Sequence, residues 1–301
     1  MRSLRPALWV LALSILASCG AGVLAEEGAD LVRFGLFADL HAHDTDSPLE
    51  GKWMTNTEAR LTAFVEAMNA WPADFIIELG DYVNGWVVLG ADPGSPDRLP
   101  DILAWTESIY DRFQGPGYHV IGNHDVYNLS KAEYLAGISA AETFYSFDVG
   151  PYHFVVLDVQ FAEDGSELAH TFMGVGGFVP ETEMTWLAED LASSGKPTIV
   201  FVHQMLDEWV EEWGRLLILN QDDVRALLTS DGDVIAVFQG HDHENAHHVH
   251  DGIHYIRFEA LVDQGTPPSW AAVTLDSANR TIRIEGEGAQ ASYLLPYPAP
   301  D

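Results

Sequence analysis

The sequence predicts an α/β fold, and three observations predict it. Apolar runs of strand length alternate with stretches of helical periodicity over most of the chain. The 301 residues are 47% hydrophobic and 11% aromatic, enough for a sizeable core. Short strand-like runs without intervening helices then fill the C-terminal part.

In chain order the strand runs are "LVRFGLFAD", "DFIIELGD", "YHVIGNH", "HFVVLDV", "TIVFVH" and "VIAVFQGH". Between them lie "TNTEARLTAFVEAMNAW", with Thr55 or Thr57 as cap, "PDILAWTESIYDRF", with Pro100 near the first turn, and "PETEMTWLAEDLASS", closed by Gly195. "QDDVRALLTS" is a further helix, and "GIHYIRFEA", "WAAVTLD" and "TIRIEGEG" read as an antiparallel tail. Residues 82 to 99 and 160 to 180 are Gly- and Pro-containing loops long enough to suggest function. With no internal repeat or low-complexity linker, the division expected is a leader over 1–25 and one domain over 30–290.

The leader reads as a signal peptide. Arg2 and Arg5 precede the apolar run "PALWVLALSILAS", which is too short for a comfortable membrane span. The single cysteine, Cys19, ends Leu16-Ala17-Ser18-Cys19, which resembles a bacterial lipobox, while "VLAEE" offers ordinary cleavage after Ala25. Either route predicts an exported protein without a disulfide, its only membrane attachment a lipid at Cys19.

The formal net charge is -32, from 46 acidic and 14 basic side chains, with only Lys52, Lys131 and Lys196 as lysines. No basic stripe is available to follow a nucleic-acid backbone, so a polymeric nucleic acid is not an expected partner. So acidic a chain is expected to suit a salty medium that screens carboxylate repulsion, with greater thermal stability in molar salt than in dilute buffer as the signature.

Chemistry concentrates where strand-like runs stop. The first run ends in Asp39-x-His41-x-His43, which could open either a site in which His41 and His43 share a metal or one in which Asp39 and His41 do. Four more runs end alike: "ELGDYVNG" at Asp81, "VIGNHD" at Asn123, His124 and Asp125, "IVFVHQ" at His203, and "VFQGHDH" at His241, Asp242 and His243. Strands of an open α/β sheet present ligands at their carboxyl ends, so five such clusters can converge on one crevice. Imidazoles, carboxylates and an amide, with no thiolate, suit Mn, Fe or Zn.

The order D-x-H, G-D, G-N-H-D, H, G-H-x-H resembles the calcineurin-like metallophosphoesterases over about Phe34 to Glu259. The amidohydrolase barrels, which also begin with a D-x-H-x-H-like strand end, would need a metal-binding lysine or its equivalent, and the three lysines here do not end strands. The resemblance implies a four-layer α/β/β/α sandwich of two mixed sheets. It also implies two divalent metals: Asp39, His41 and His243 on the first, Asn123, His203 and His241 on the second, and Asp81 bridging. By the same resemblance a metal-bridging hydroxide attacks phosphorus, His124 steadies the transition state or protonates the leaving oxygen, and Asp125 holds its ring.

Weaker signals stay open. Many family members carry an Asp where Asn84 stands; the position is not a usual ligand. His43 and Asp44 could face the crevice or solvent, and Trp53, Tyr82, Trp86 and Tyr127 could stack on a substrate ring or simply pack. In "ENAHHVHDGIHY", His248, His250 and His254 read as surface positions of a hairpin, leaving His247 as a candidate substrate contact. Lys52 and Arg257 are the nearest cations for a phosphate.

The tail resembles a branch that includes manganese-dependent ADP-ribose/CDP-alcohol diphosphatases. That branch usually has glutamine where this chain has His41, so monoesters, diesters and diphosphates all remain candidate small phosphorylated substrates. The expected function is an exported dinuclear-metal phosphoesterase; the alternative is a catalytically silent surface binding protein with the same fold.

Overall fold

The computed structural model describes residues 30–43, 56–85, 98–170, 176–207, 217–262 and 265–299. The leader with Cys19 lies outside them, as do Asp44, Lys52, Trp53, Thr55 and Trp86.

Two six-stranded mixed sheets lie face to face. In the first, β1 (Leu31–Phe37), β2 (Phe75–Glu78) and β3 (Gly117–His119) run parallel. The second is formed by β4 (Tyr145–Val149), β5 (Tyr152–Val156), β6 (Thr198–Val202), β7 (Val234–Gln239), β8 (Ala246–His250) and β9 (Ile253–Arg257), in the order β4-β5-β6-β7-β9-β8. The first sheet is completed by β10 (Trp270–Asp276), β11 (Thr281–Glu287) and β12 (Tyr293–Pro296), giving β12-β11-β10-β1-β2-β3, with β10 antiparallel to β1. β12 lies past residue 290, the boundary read from sequence, and pairs with β11.

Alternation along the strands builds the layers, because successive side chains point to opposite faces. Between the sheets, Phe34, Phe75, Phe154, Phe201 and Phe238 form the central cluster, with Phe34 and Phe75 stacked at 4.7 Å. On the outer face of the first sheet, Phe37 and Ile76 pack with α1 (Thr57–Ala70), α2 (Leu99–Tyr110), α3 (Asn123–Tyr127) and α4 (Lys131–Gly137). On the outer face of the second, Val200, Val202 and Val237 pack with α5 (Glu181–Ser194) and α6 (Gln221–Asp231). Three cores between four layers are the expected α/β/β/α sandwich. Strands buried on both faces explain the continuous apolar runs.

Some local expectations differ. Asn56 occupies the N-cap of α1 and Thr57 is its first helical residue, so Thr57 is not the cap. Pro100 does lie in the first turn of α2, and Gly195 closes α5 at φ 59°. The tail is antiparallel along β10–β12 and in the β8–β9 hairpin, but β9 runs parallel to β7. The chain leaves β7, skips one strand position to form the edge strand β8, and returns through Asp251 and Gly252, both at positive φ, so that β9 fills the gap. Among the described residues no helix is long and apolar enough to cross a membrane.

Candidate metal centre

The ends of β1, β2, β6 and β7, with α3, gather all seven expected ligands at one edge of the two sheets. Pairing continues past the strands: Asp39 N–H donates to Gly80 O at 3.1 Å and His41 N–H to Asp81 O at 2.8 Å, and Gly240 N–H donates to His203 O at 3.1 Å. Five of the seven, Asp39, His41, Asp81, His241 and His243, have φ between 48° and 73°. Non-glycine residues in this region cost of order 1–3 kcal/mol each and persist only when surrounding structure fixes them. Nine described non-glycine residues have positive φ, so the strain is concentrated at this site.

Glycines make the close approaches possible. A Cβ on Gly122, just before Asn123, would lie 2.2 Å from Asp81 N, and one on Gly80 would lie 2.5 Å from His203 Nδ1.

Three overlapping groups of donor atoms result: Asp39, His41 and His243; Asp81, His203 and His241; and His41, Asp81 and His124, each within 4.8 Å of one another. In the first, His243 Nε2 is 3.0 Å from His41 Nε2 and 3.3 Å from Asp39 Oδ1. In the second, His203 Nε2 is 3.0 Å from His241 Nδ1, 3.2 Å from Asn123 Oδ1 and 3.3 Å from Asp81 Oδ1. Asp81 Oδ2 faces His41 Nε2 at 3.6 Å, so its two oxygens serve both groups. Ligands at about 2.0–2.2 Å from one cation stand roughly 3.0–3.6 Å apart. Most of these spacings fall in that range, and the nitrogen-and-oxygen donor set suits divalent transition ions. His241 Nε2, buried, has no hydrogen-bond partner among the described residues.

The rings are held in the required sense. His41 Nδ1 is 2.9 Å from Asn84 Oδ1 and His203 Nδ1 is 2.8 Å from Leu79 O; both contacts need an N–H at Nδ1, which leaves Nε2 as the donor atom toward the cluster. Asn123 Nδ2–H donates to Tyr127 Oη at 2.6 Å, so its oxygen turns toward His203. Asn84 and Tyr127 are thus orienting residues. Sequence reading missed both roles, although Asn84 lies three residues after Asp81, where the family often carries an acid.

The electrostatics fit a cluster made for cations. Burial alone would raise the Asp81 carboxyl, yet His203 and His124 hold it well below the usual carboxylate range. Burial likewise opposes charge on His203, but Asp81 and Asp39 push it up to about 10. Burial, with His203 beside it, lowers His241 to about 3.

His124 stands at the junction, its Nε2 3.9 Å from Asp81 Oδ2 and its ring edge-on to His41 with centroids 4.5 Å apart. Asp125 does not hold this ring. Its Oδ1 accepts Val83 N–H at 2.9 Å and its Oδ2 accepts Gly122 N–H at 2.8 Å, because the third residue of α3 reaches back to the residue before the helix. It secures the turn that carries Asn123 and His124.

Other expectations are corrected. Arg257 pairs with Asp242 and reaches Met205 Sδ rather than offering a free phosphate contact. His247 Nε2 lies 3.0 Å from His254 Nδ1, packed beside Tyr293, and His254 is buried rather than a surface position. His248 pairs with Asp207 at 2.6 Å. His43 is 5% exposed, not a solvent-facing loop residue. Tyr82 is buried against Phe37 and Tyr110 in the helix-side core and offers no stacking face.

Comparisons with known proteins agree with this geometry. The family profile of calcineurin-like phosphoesterases matches residues 32–245. The chain is similar to a manganese-dependent ADP-ribose/CDP-alcohol diphosphatase of Arabidopsis thaliana, 25% identical over an alignment 281 positions long, gaps included, that spans 77% of this chain and 87% of the relative. The corresponding Xenopus tropicalis protein is 24% identical over an alignment 332 positions long, gaps included, spanning 89% of this chain and 94% of the relative. In fold, the chain resembles a dimetal phosphatase from Danio rerio, with a TM-score of 0.73 at 20% identity over 89% of this chain and 99% of that one. It also resembles GAP50, the anchor in the inner membrane complex of Plasmodium, with a TM-score of 0.57 at 13% identity over 89% and 88%.

Proposed function

The chain belongs to the calcineurin-like phosphoesterase family, and from that premise we propose an exported hydrolase of small phosphoric esters and anhydrides, with nucleotide-type diphosphates as the first substrate class. One observation carries the reading: two triads of donors, each built to hold a cation, share the carboxylate of Asp81. The diphosphate preference is supported by the manganese-dependent ADP-ribose/CDP-alcohol diphosphatases that the chain resembles along most of their length. Export is supported by the sequence of residues 1–25.

Two divalent ions at such a site supply Lewis acidity and a water acidified toward neutral pH. Asp39, His41 and His243 would hold one, Asn123, His203 and His241 the other, and Asp81 both. Hydrolysis adds water across a P–O bond, so phosphorus gains one oxygen and the leaving oxygen needs a proton. His124 Nε2 points at the junction and would donate that proton or steady the charge on phosphorus. Asn84 and Tyr127 fix the directions of His41 and Asn123, and Asp125 fixes the turn that carries His124. The nearby cation Arg257 is paired with Asp242, while Lys131 and Lys196 are paired with Asp158 and Asp148, so most of the phosphate charge would fall to the metals.

The test is hydrolysis of ADP-ribose, p-nitrophenyl phosphate and bis-p-nitrophenyl phosphate with Mn present and then removed by chelator. Mn-dependent turnover that the chelator abolishes is expected, greatest on the diphosphate. Chelator-insensitive turnover would contradict the mechanism, and no turnover of any substrate would favour a binding protein of the same fold.

A further inference from the structure

Glu78 ends β2 fully buried, in a strand buried along its whole length. A carboxylate in such a place is costly unless it is hydrogen-bonded. Its Oε2 accepts Gly80 N–H at 2.8 Å. Its Oε1 lies 3.2 Å from His119 Nδ1 and accepts from Tyr134 Oη at 3.3 Å, and His119 Nε2 lies 3.4 Å from Glu107 Oε1 on α2. A string of carboxylate, imidazole and carboxylate thus runs from the outer helix layer to the glycine before Asp81.

That glycine is a demanding place. Gly80 sits at φ 92° and Asp81 at φ 53°, and Gly80 O accepts Asp39 N–H at 3.1 Å. The turn that aims the shared carboxylate is therefore gripped on one side by Glu78 and on the other by the backbone of a second expected ligand. Glu78 itself is directed toward His119 and Tyr134, behind β3, and belongs to none of the donor groups.

We infer that Glu78 is a positioning residue for the metal centre: its hydrogen bond to Gly80 N–H holds the left-handed turn from which Asp81 serves both ions. The inference rests on the dinuclear reading above. A buried ion pair that only stabilised the fold would give a different result in the following experiment.

Mn binding to purified wild type, Glu78→Ala, Glu78→Gln and Glu78→Asp is measured by calorimetry, with electron paramagnetic resonance reporting the exchange-coupled Mn pair and circular dichroism reporting the fold. Wild type is expected to take two ions. Glu78→Ala should bind about 10–100-fold more weakly, the usual cost of losing an outer partner of a metal ligand, and lose the coupled signal at Mn concentrations that saturate wild type. Glu78→Gln keeps an oxygen acceptor for Gly80 N–H and should bind close to wild type. Glu78→Asp keeps the charge but is one methylene too short, and should fall with alanine. Should the alanine variant not fold, the contrast between Gln and Asp still decides. Folded Ala or Asp variants that bind two Mn as tightly as wild type overturn the inference alone, as does a Gln variant as weak as Asp. A wild type that takes fewer than two ions removes the dinuclear reading and the inference with it.

Discussion

The two halves of the donor cluster are alike in number and unlike in kind. Asp39, His41 and His243 include a carboxylate of their own, whereas Asn123, His203 and His241 replace it with an amide, and Asp81 is common to both. The orienting contacts differ too: a side chain, Asn84, directs His41, while a backbone carbonyl, that of Leu79, directs His203. The first half therefore has the greater negative charge and the more easily mutated support. The second has the sturdier frame and the weaker electrostatic hold.

The largest effect should come from removing what the halves share. Asp81→Asn is expected to lower turnover beyond the ~10²–10⁴-fold attributable to one lost general acid, because both ions lose a ligand together. Steady-state kinetics with matched metal analysis checks this. His124→Ala should lower turnover by about 10²–10⁴-fold while both halves stay filled, and an unchanged rate would remove His124 from the chemistry. Asn84→Ala should weaken Mn at the carboxylate-bearing half by about 10–100-fold and leave the other half nearly unchanged, read as a split between two binding steps in calorimetry.

A further effect concerns stability rather than turnover or metal binding and lies outside the ligands. Burial alone would lower the His119 pKa, but hydrogen bonds and charge from Glu107 and Glu78 raise it to about 9. Its folded value thus exceeds the ordinary histidine value of 6.5, so its contribution is fully present below about pH 6.5 and is lost as pH rises through 9. Urea unfolding of metal-free protein should show a loss of order a few kcal/mol over that window, and His119→Gln should flatten it.

Much of this was legible in the sequence, for identifiable reasons. Strands such as "TIVFV" announce themselves because both faces are buried, and the ligands stand where those runs end. The order of motifs picks out seven residues that the fold brings together, because each motif marks one strand end or the turn after it. Short edge elements were not legible: "YSFDV" of β4 and "YLLP" of β12 are half-exposed and carry no clear period. Nor were the orienting contacts. The resemblance implies Asp125 as the partner of the His124 ring, but a helical first turn sends its carboxylate back to Gly122 N–H. Tyr127 and Glu78 act through directions that only the folded turns define. The positive φ values at Asp39, His41 and Asp81 break local preference where the cluster forms, and conformational preference gives no warning of them.

The sharing of Asp81 is tested most directly by metal counting. After dialysis against Mn and removal of free ion, elemental analysis should give two Mn per wild-type chain and no more than one for Asp81→Asn. A wild type holding one or none, or an Asp81→Asn variant still holding two, would contradict it.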